Sequence, residues 1–202
     1  MDGNGVKSML LAVADAMDEN RDMLCVLDGE IGDADHGIAM SGGFAGVREA
    51  LDELEGTPTE VLNTAAKAFL NAVGASSGPL YATAFMRAGM AVKGKDKLGP
   101  ADAAAMVAAM AEGIAHRGKA QQGDKTMLDA WAPAGAAAME AEGSIAAILT
   151  AAAEAAEAGA QATADMEAKL GRAARLGARS LGHKDPGAAS AAIMLRAMAA
   201  AV

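Results

Sequence analysis

The chain has 202 residues, a net charge of −9 from 26 Asp and Glu against 17 Lys and Arg, 52% apolar residues, and only 2% aromatic ones. That length can bury one substantial core, while the acidic balance excludes the basic face a nucleic-acid binder needs. The lone cysteine, Cys25, excludes an internal disulfide and fits a reducing compartment.

Alanine dominates and no long β-branched run appears, so the composition is all-α. The first helix is expected from Val6 to Arg21, with Met9, Leu10, Val13 and Met17 as its apolar stripe. A bridging run Met23–Leu27 leads into a loop, Asp28-Gly-Glu-Ile-Gly-Asp33-Ala-Asp35-His36-Gly37, and a second helix follows from Ile38 to Leu54. Thr57, Pro58 and Glu60 form a capping-box signature that starts a third helix, Pro58 to Val73. After Gly74-Ala-Ser76-Ser77-Gly78-Pro79 come a fourth helix, Leu80–Val92, a polar turn, and a fifth helix, Pro100–His116. The polar loop 117–126 precedes a sixth helix, Lys125–Glu140, in which Pro133 is expected to introduce a bend. Ser144 caps a seventh, Ile145–Ala162. Residues 163–186 read as part helix and part loop, and Gly187–Ala200 is the eighth helix.

No internal repeat or linker divides the chain, so residues 1–202 read as a single domain. Met1-Asp-Gly-Asn-Gly lacks the basic region of a signal peptide, and the apolar run Gly187–Val202 is too short to span a bilayer and carries Arg196. A soluble cytoplasmic protein with no membrane association is expected. Short connections favour antiparallel neighbours, so alternate loops fall at the same end. The four unusual loops (28–37, 74–79, 117–126 and 163–186) are the alternate ones, and gather at one end if the count of eight holds.

Asp28, Asp33 and Asp35 lie at offsets of five and two on a glycine-bearing loop, a pattern able to hold a hard cation or simply to cap a helix. An EF-hand is excluded, because the position of its bidentate Glu falls on Phe44 or Ala39, and Zn²⁺ finds only His36 and Cys25 nearby. Mg²⁺ is the best-suited cation. The Gly-Ser turn at 74–78 reads as a capped turn or a phosphate loop. Gly123-Asp124-Lys125-Thr126 is rejected as a P-loop, since a helix rather than a strand precedes it. Asp124 reads as a cap, and Lys125 as either a surface lysine or a functional one. Residues 169–187 concentrate five of the 17 basic residues, with Arg172, Arg175 and Arg179 at helical offsets that would share one face. Met86, Met90, Met106 and Met110 read as core.

The words Asp28-Gly-Glu-Ile-Gly-Asp-Ala-Asp-His-Gly37, Gly74-Ala-Ser-Ser-Gly-Pro-Leu80, Gly123-Asp-Lys-Thr-Met127 and Gly171-Arg172 through Gly182-His-Lys-Asp-Pro-Gly187 together resemble one family. It is the nucleotide-binding L subunit of bacterial dihydroxyacetone kinases, and the matching C-terminal domain of single-chain ones. The resemblance implies an antiparallel eight-helix barrel with the nucleotide site at one end. It implies that Asp28, Asp33 and Asp35 hold two Mg²⁺ ions against the phosphates of ADP or ATP. His36, Ser76, Ser77, Gly123, Met127, Arg172, Asp185, Pro186 and Gly187 would contact the nucleotide. Ser76, Ala39 and Arg175 depart from residues common in the family.

The implied activity is phosphoryl transfer to dihydroxyacetone held by a separate K subunit. A phosphotransferase-system phosphocarrier would regenerate ATP from bound ADP. Direct use of ATP, a different ketose such as a tetrulose, and a non-enzymatic nucleotide-loaded regulator are the alternatives, and a homodimer is left open.

Overall fold

The structure, a computed structural model, describes residues 1–74 and 77–202. Its α-helices are α1 (Gly3–Glu19), α2 (Arg21–Ile31), α3 (His36–Leu51), α4 (Pro58–Ala72), α5 (Gly78–Ala91), α6 (Pro100–Gly118), α7 (Leu128–Glu140), α8 (Ile145–Ala162) and α9 (Pro186–Ala200). Two 3₁₀ turns, Thr163–Asp165 and Ala173–Ser180, lie between α8 and α9. All helices but α2 form a closed ring: α1 packs on α3, each later helix packs on the next, and α9 returns to α1. The eight-helix barrel is therefore present, with α2 added, as a ninth α-helix among the described residues, against α3 and α9.

Local chemistry explains where the helices start. Thr57 and Glu60 complete the capping box, with Thr57 Oγ1 accepting from Glu60 N and Glu60 accepting from Thr57 N. Ser144 accepts from Ala147 N and Asp185 from Ala188 N at the starts of α8 and α9. Pro58, Gly78-Pro79, Pro100 and Pro186 open α4, α5, α6 and α9, where proline's missing N–H is no loss.

The largest difference from the expected elements lies at residues 21–31. They are helical, so Asp28 stands on the last turn of α2 and only residues 32–35 separate it from α3. Asn20 alone separates α1 from α2, with no Gly or Pro to mark the break. The stripe that α2 buries is Leu24, Asp28 and Ile31, while Met23 and Val26 face outward. A carboxylate in that stripe hides its periodicity. The methionines divide as well: Met106 and Met110 are buried, but Met86 is 55% and Met90 70% exposed. The 3₁₀ segment Ala173–Ser180 is interrupted at Gly177 (φ 55°), so Arg172, Arg175 and Arg179 share no continuous helical face.

The ring closes on small side chains. Ala65, Ala84, Ala88, Ala130, Ala134, Ala152, Ala153 and Ala156 are fully buried. Five aromatic rings fill the interior, with Phe44–Phe69 centroids at 5.2 Å and Phe69–Tyr81 at 5.4 Å, both edge-on. Such pairs add about 0.5–1.5 kcal/mol beyond the area they bury. Gly159 marks the tightest approach of α8 to α7: a Cβ there would overlap the Asp129 carbonyl oxygen. Gly159→Ala is expected to destabilise the protein by about 1–3 kcal/mol in urea unfolding. Gly42→Ala, in open space within α3, is expected to gain about 0.5–1 kcal/mol.

Candidate functional site

The ends of the α1–α3, α4–α5, α6–α7 and α8–α9 connections line a single cavity of about 380 Å³. The ring's alternation puts the N-termini of α3, α5, α7 and α9 there, represented in the wall by His36, Ser77, Leu128 and Pro186. Four helix starts turn their positive dipole ends toward one volume, which suits an anion.

The acidic group faces these starts. One carboxylate oxygen from each of Asp28, Asp33 and Asp35 lies within 4.8 Å of the others. Asp28 is only 8% exposed, and its Oδ2 accepts from Asp35 N at 2.9 Å and His36 N at 3.3 Å. Asp28, rather than Asp33 or Asp35, thus caps α3; Asp35 holds the N-cap position without a side-chain cap bond. Ala34, in the left-handed region at φ 63°, turns the chain between the other two aspartates. Three convergent carboxylates, two of them free of capping duty, form an all-oxygen donor set that fits Mg²⁺. The Arg172 guanidinium pairs with Asp33 across the cavity mouth.

Of the residues singled out from the sequence, Asp28, Asp33, Asp35, His36, Ser77, Met127, Arg172, Asp185, Pro186 and Gly187 all line the cavity. Ser76 lies outside the described residues. Gly123 is not in the wall; it sits at φ 91° and donates its N–H to Asp129 Oδ1 at 2.5 Å. Ser77 Oγ is buried in the cavity wall with no hydrogen-bond partner among the described residues. His36 Nε2 meets Ser190 Oγ at 2.9 Å, and burial, against the pull of Asp28, holds its pKa below the usual imidazole value.

The 121–129 loop differs from its expected form. Asp124 accepts from Gln121 N and pairs with Lys169 at 3.4 Å instead of capping α7. Asp129, in the first turn of α7, takes Gly123 N and Thr126 N. Lys125 is not a surface residue: it is 1% exposed, and its Nζ donates to main-chain carbonyls.

Comparison with known proteins gives the chain's family. The DAK2 domain family matches residues 30–200. The chain is 38% identical over 200 residues to the PEP-dependent dihydroxyacetone kinase ADP-binding subunit DhaL of Escherichia coli K12, covering 97% of this chain and 95% of that one. It is 40% identical to the ADP-binding subunit DhaL of PEP-dependent dihydroxyacetone kinase 2 of Listeria innocua, covering 89% and 85%. The chain belongs to the DAK2 domain family. Its fold matches the dihydroxyacetone kinase of C. freundii solved with AMP-PNP and Mg²⁺, with a TM-score of 0.75 and 24% identity over 98% of this chain. The DAK2 domain spans about a third (34%) of the length of that kinase.

Sequence reasoning missed the apolar side of this DAK2 domain's cavity. Ile31, Leu80, Ile114 and Leu170 come from four separate segments and form a wall suited to a flat apolar ligand group. Leu80 closes the Gly74–Leu80 motif; the others carry no local signal, because their convergence is purely tertiary.

Asp185 is the most perturbed carboxyl. Burial, with Asp129 and Asp28 adding like charge, pushes it up to about 7 despite the Ala188 N–H bond and nearby Lys125. The unfolded chain ionises this group near its ordinary 3.8, so between that value and about 7 rising pH favours the unfolded state. Native Asp185 therefore costs stability at neutral pH and costs none in acid. Asp185→Asn, which can still cap α9, is expected to stabilise the ligand-free protein. The advantage should grow from pH 5 to pH 8 by on the order of 2 kcal/mol in urea unfolding.

Proposed function

We propose that this chain is the nucleotide-binding, phosphoryl-transferring L subunit of a dihydroxyacetone kinase. It acts as one cytoplasmic domain on a ketose presented by a separate K subunit. The observation that carries the reading is the facing pair of subsites: three carboxylates within 4.8 Å of each other, opposite four helix N-termini. A cation site and an anion site sharing one cavity suit a metal-bound polyphosphate better than either ligand alone. Family membership and the near full-length likeness to ADP-binding subunits support the same choice.

Asp28, Asp33 and Asp35 would hold two Mg²⁺ ions, which when bound neutralise phosphate charge during transfer. The residues of the chain do the remaining work. The positive ends of α3, α5, α7 and α9 and the Ser77 hydroxyl orient the phosphates. Arg172, at the rim, supplies a mobile positive charge once it leaves Asp33. Ile31, Leu80, Ile114 and Leu170 exclude water around the base. The donor in this reading is the phosphotransferase-system phosphocarrier, which turns bound ADP into ATP in place, and that ATP passes its terminal phosphoryl group to the ketose and returns to ADP.

Denaturing the purified protein is expected to release close to one equivalent of ADP, identified by chromatography; an empty site exchanging freely with ATP would replace the phosphocarrier with ATP as donor. Asp33→Ala is expected to weaken Mg²⁺-dependent ADP binding at least tenfold by calorimetry with the fold intact. Binding unchanged from wild type would sink the metal assignment.

A further inference from the structure

Residues 163–185 form a long loop with almost no apolar core of its own: Thr163, Ala168 and Ser180 are its only buried side chains among those described. Its neck is tied by hydrogen bonds. Asp185 N donates to Thr163 Oγ1 at 2.9 Å and Gly182 N to Ala164 O at 2.8 Å; inside, Ala168 N donates to Ser180 Oγ at 2.9 Å. The centre is filled from outside the loop. Lys125 Nζ donates to the carbonyls of Thr163 (2.8 Å), Met166 (3.1 Å), Ser180 (2.7 Å) and His183 (2.5 Å).

We propose that Lys125 is a positioning residue: its ammonium is the polar core of the 163–185 loop, and through that loop it sets Arg172 and Asp185 against the cavity. The reason is hydrogen-bond satisfaction. Buried carbonyls without donors are costly, and only an ammonium brings three donors to one point, enough for these four carbonyls if one N–H is shared between two. Arg172 lies between two of the anchored carbonyls, Met166 and Ser180, and Asp185 lies two residues past a third, His183. The backbone beside Lys125 is tied to the same loop, since Lys169 N donates to Asp124 O at 3.1 Å. A guanidinium is planar and longer, and cannot gather four carbonyls onto one atom. The role in loop order stands on geometry alone; its consequence for the nucleotide rests on the function proposed above.

Hydrogen exchange and Mg-ADP calorimetry on Lys125→Met and Lys125→Ala separate these parts. In K125M, amides of 166–183 should exchange at least tenfold faster while those of α4–α6 keep their protection, and Mg-ADP affinity should fall at least tenfold. In K125A, millimolar propylammonium should restore loop protection and affinity together, whereas tetramethylammonium, which has no N–H, should restore neither. Arg172→Ala should weaken Mg-ADP binding without loosening the loop. Loop protection within twofold of wild type in K125M overturns the proposal. So does loss of protection spread evenly through the ring, or equal or no response of K125A to the two ions. A loosened loop with unchanged affinity overturns the positioning role. Wild-type protein that fails to bind Mg-ADP overturns the functional reading and that role with it, while the exchange data still decide what holds the loop.

Discussion

Helices can be brought close enough to close a ring only where their facing side chains are small. In this chain alanine and glycine occupy those faces, down to Gly159 against the Asp129 carbonyl. Closure fixes alternation, and alternation decides which connections meet. The site inherits its residues from that constraint: segments over 150 residues apart, such as His36 and Ser190, come within hydrogen-bond distance because α3 and α9 are ring neighbours of α1.

The site balances two kinds of charge that neither subset would tolerate alone. Three carboxylates in a shared volume repel one another, and burial, helped by the charges of Asp129 and Asp28, pushes Asp185 up to about 7. The opposing terms are the four helix starts and Arg172. In the proposed function, a cation bound together with an anion would offset both kinds of charge at once. The buried Lys125, also in the cavity wall, is the counterpart, a positive charge solvated by carbonyl dipoles instead of by carboxylates.

Much of the site is legible in the sequence, because capping and metal-ligand patterns are local. Thr57, Ser144 and the proline starts announce helices by chemistry confined to a few residues, and each expected helix begins within about one turn of its observed start. The aspartate cluster is visible as a spacing. Three features are not. Helix α2 is hidden because its buried stripe includes Asp28, whose burial is justified only by the N–H groups of α3. Met86 and Met90 share a helical spacing with core residues but face outward, since periodicity gives a face and not the side on which a neighbour will lie. The burial of Lys125 is silent because its four partners are main-chain carbonyls, which leave no mark on sequence.

Residue chemistry along the chain is thus enough to dictate the helices, their caps, the all-α class and the residues able to hold a cation, since each depends on interactions within about one turn or on side-chain type alone. Packing settles which carboxylate caps and which stay free, where the apolar wall of the cavity comes from, and what orders residues 163–185. Those outcomes depend on which backbone groups are left unpaired once the ring has closed. Only the packed chain sets that inventory of donors and acceptors.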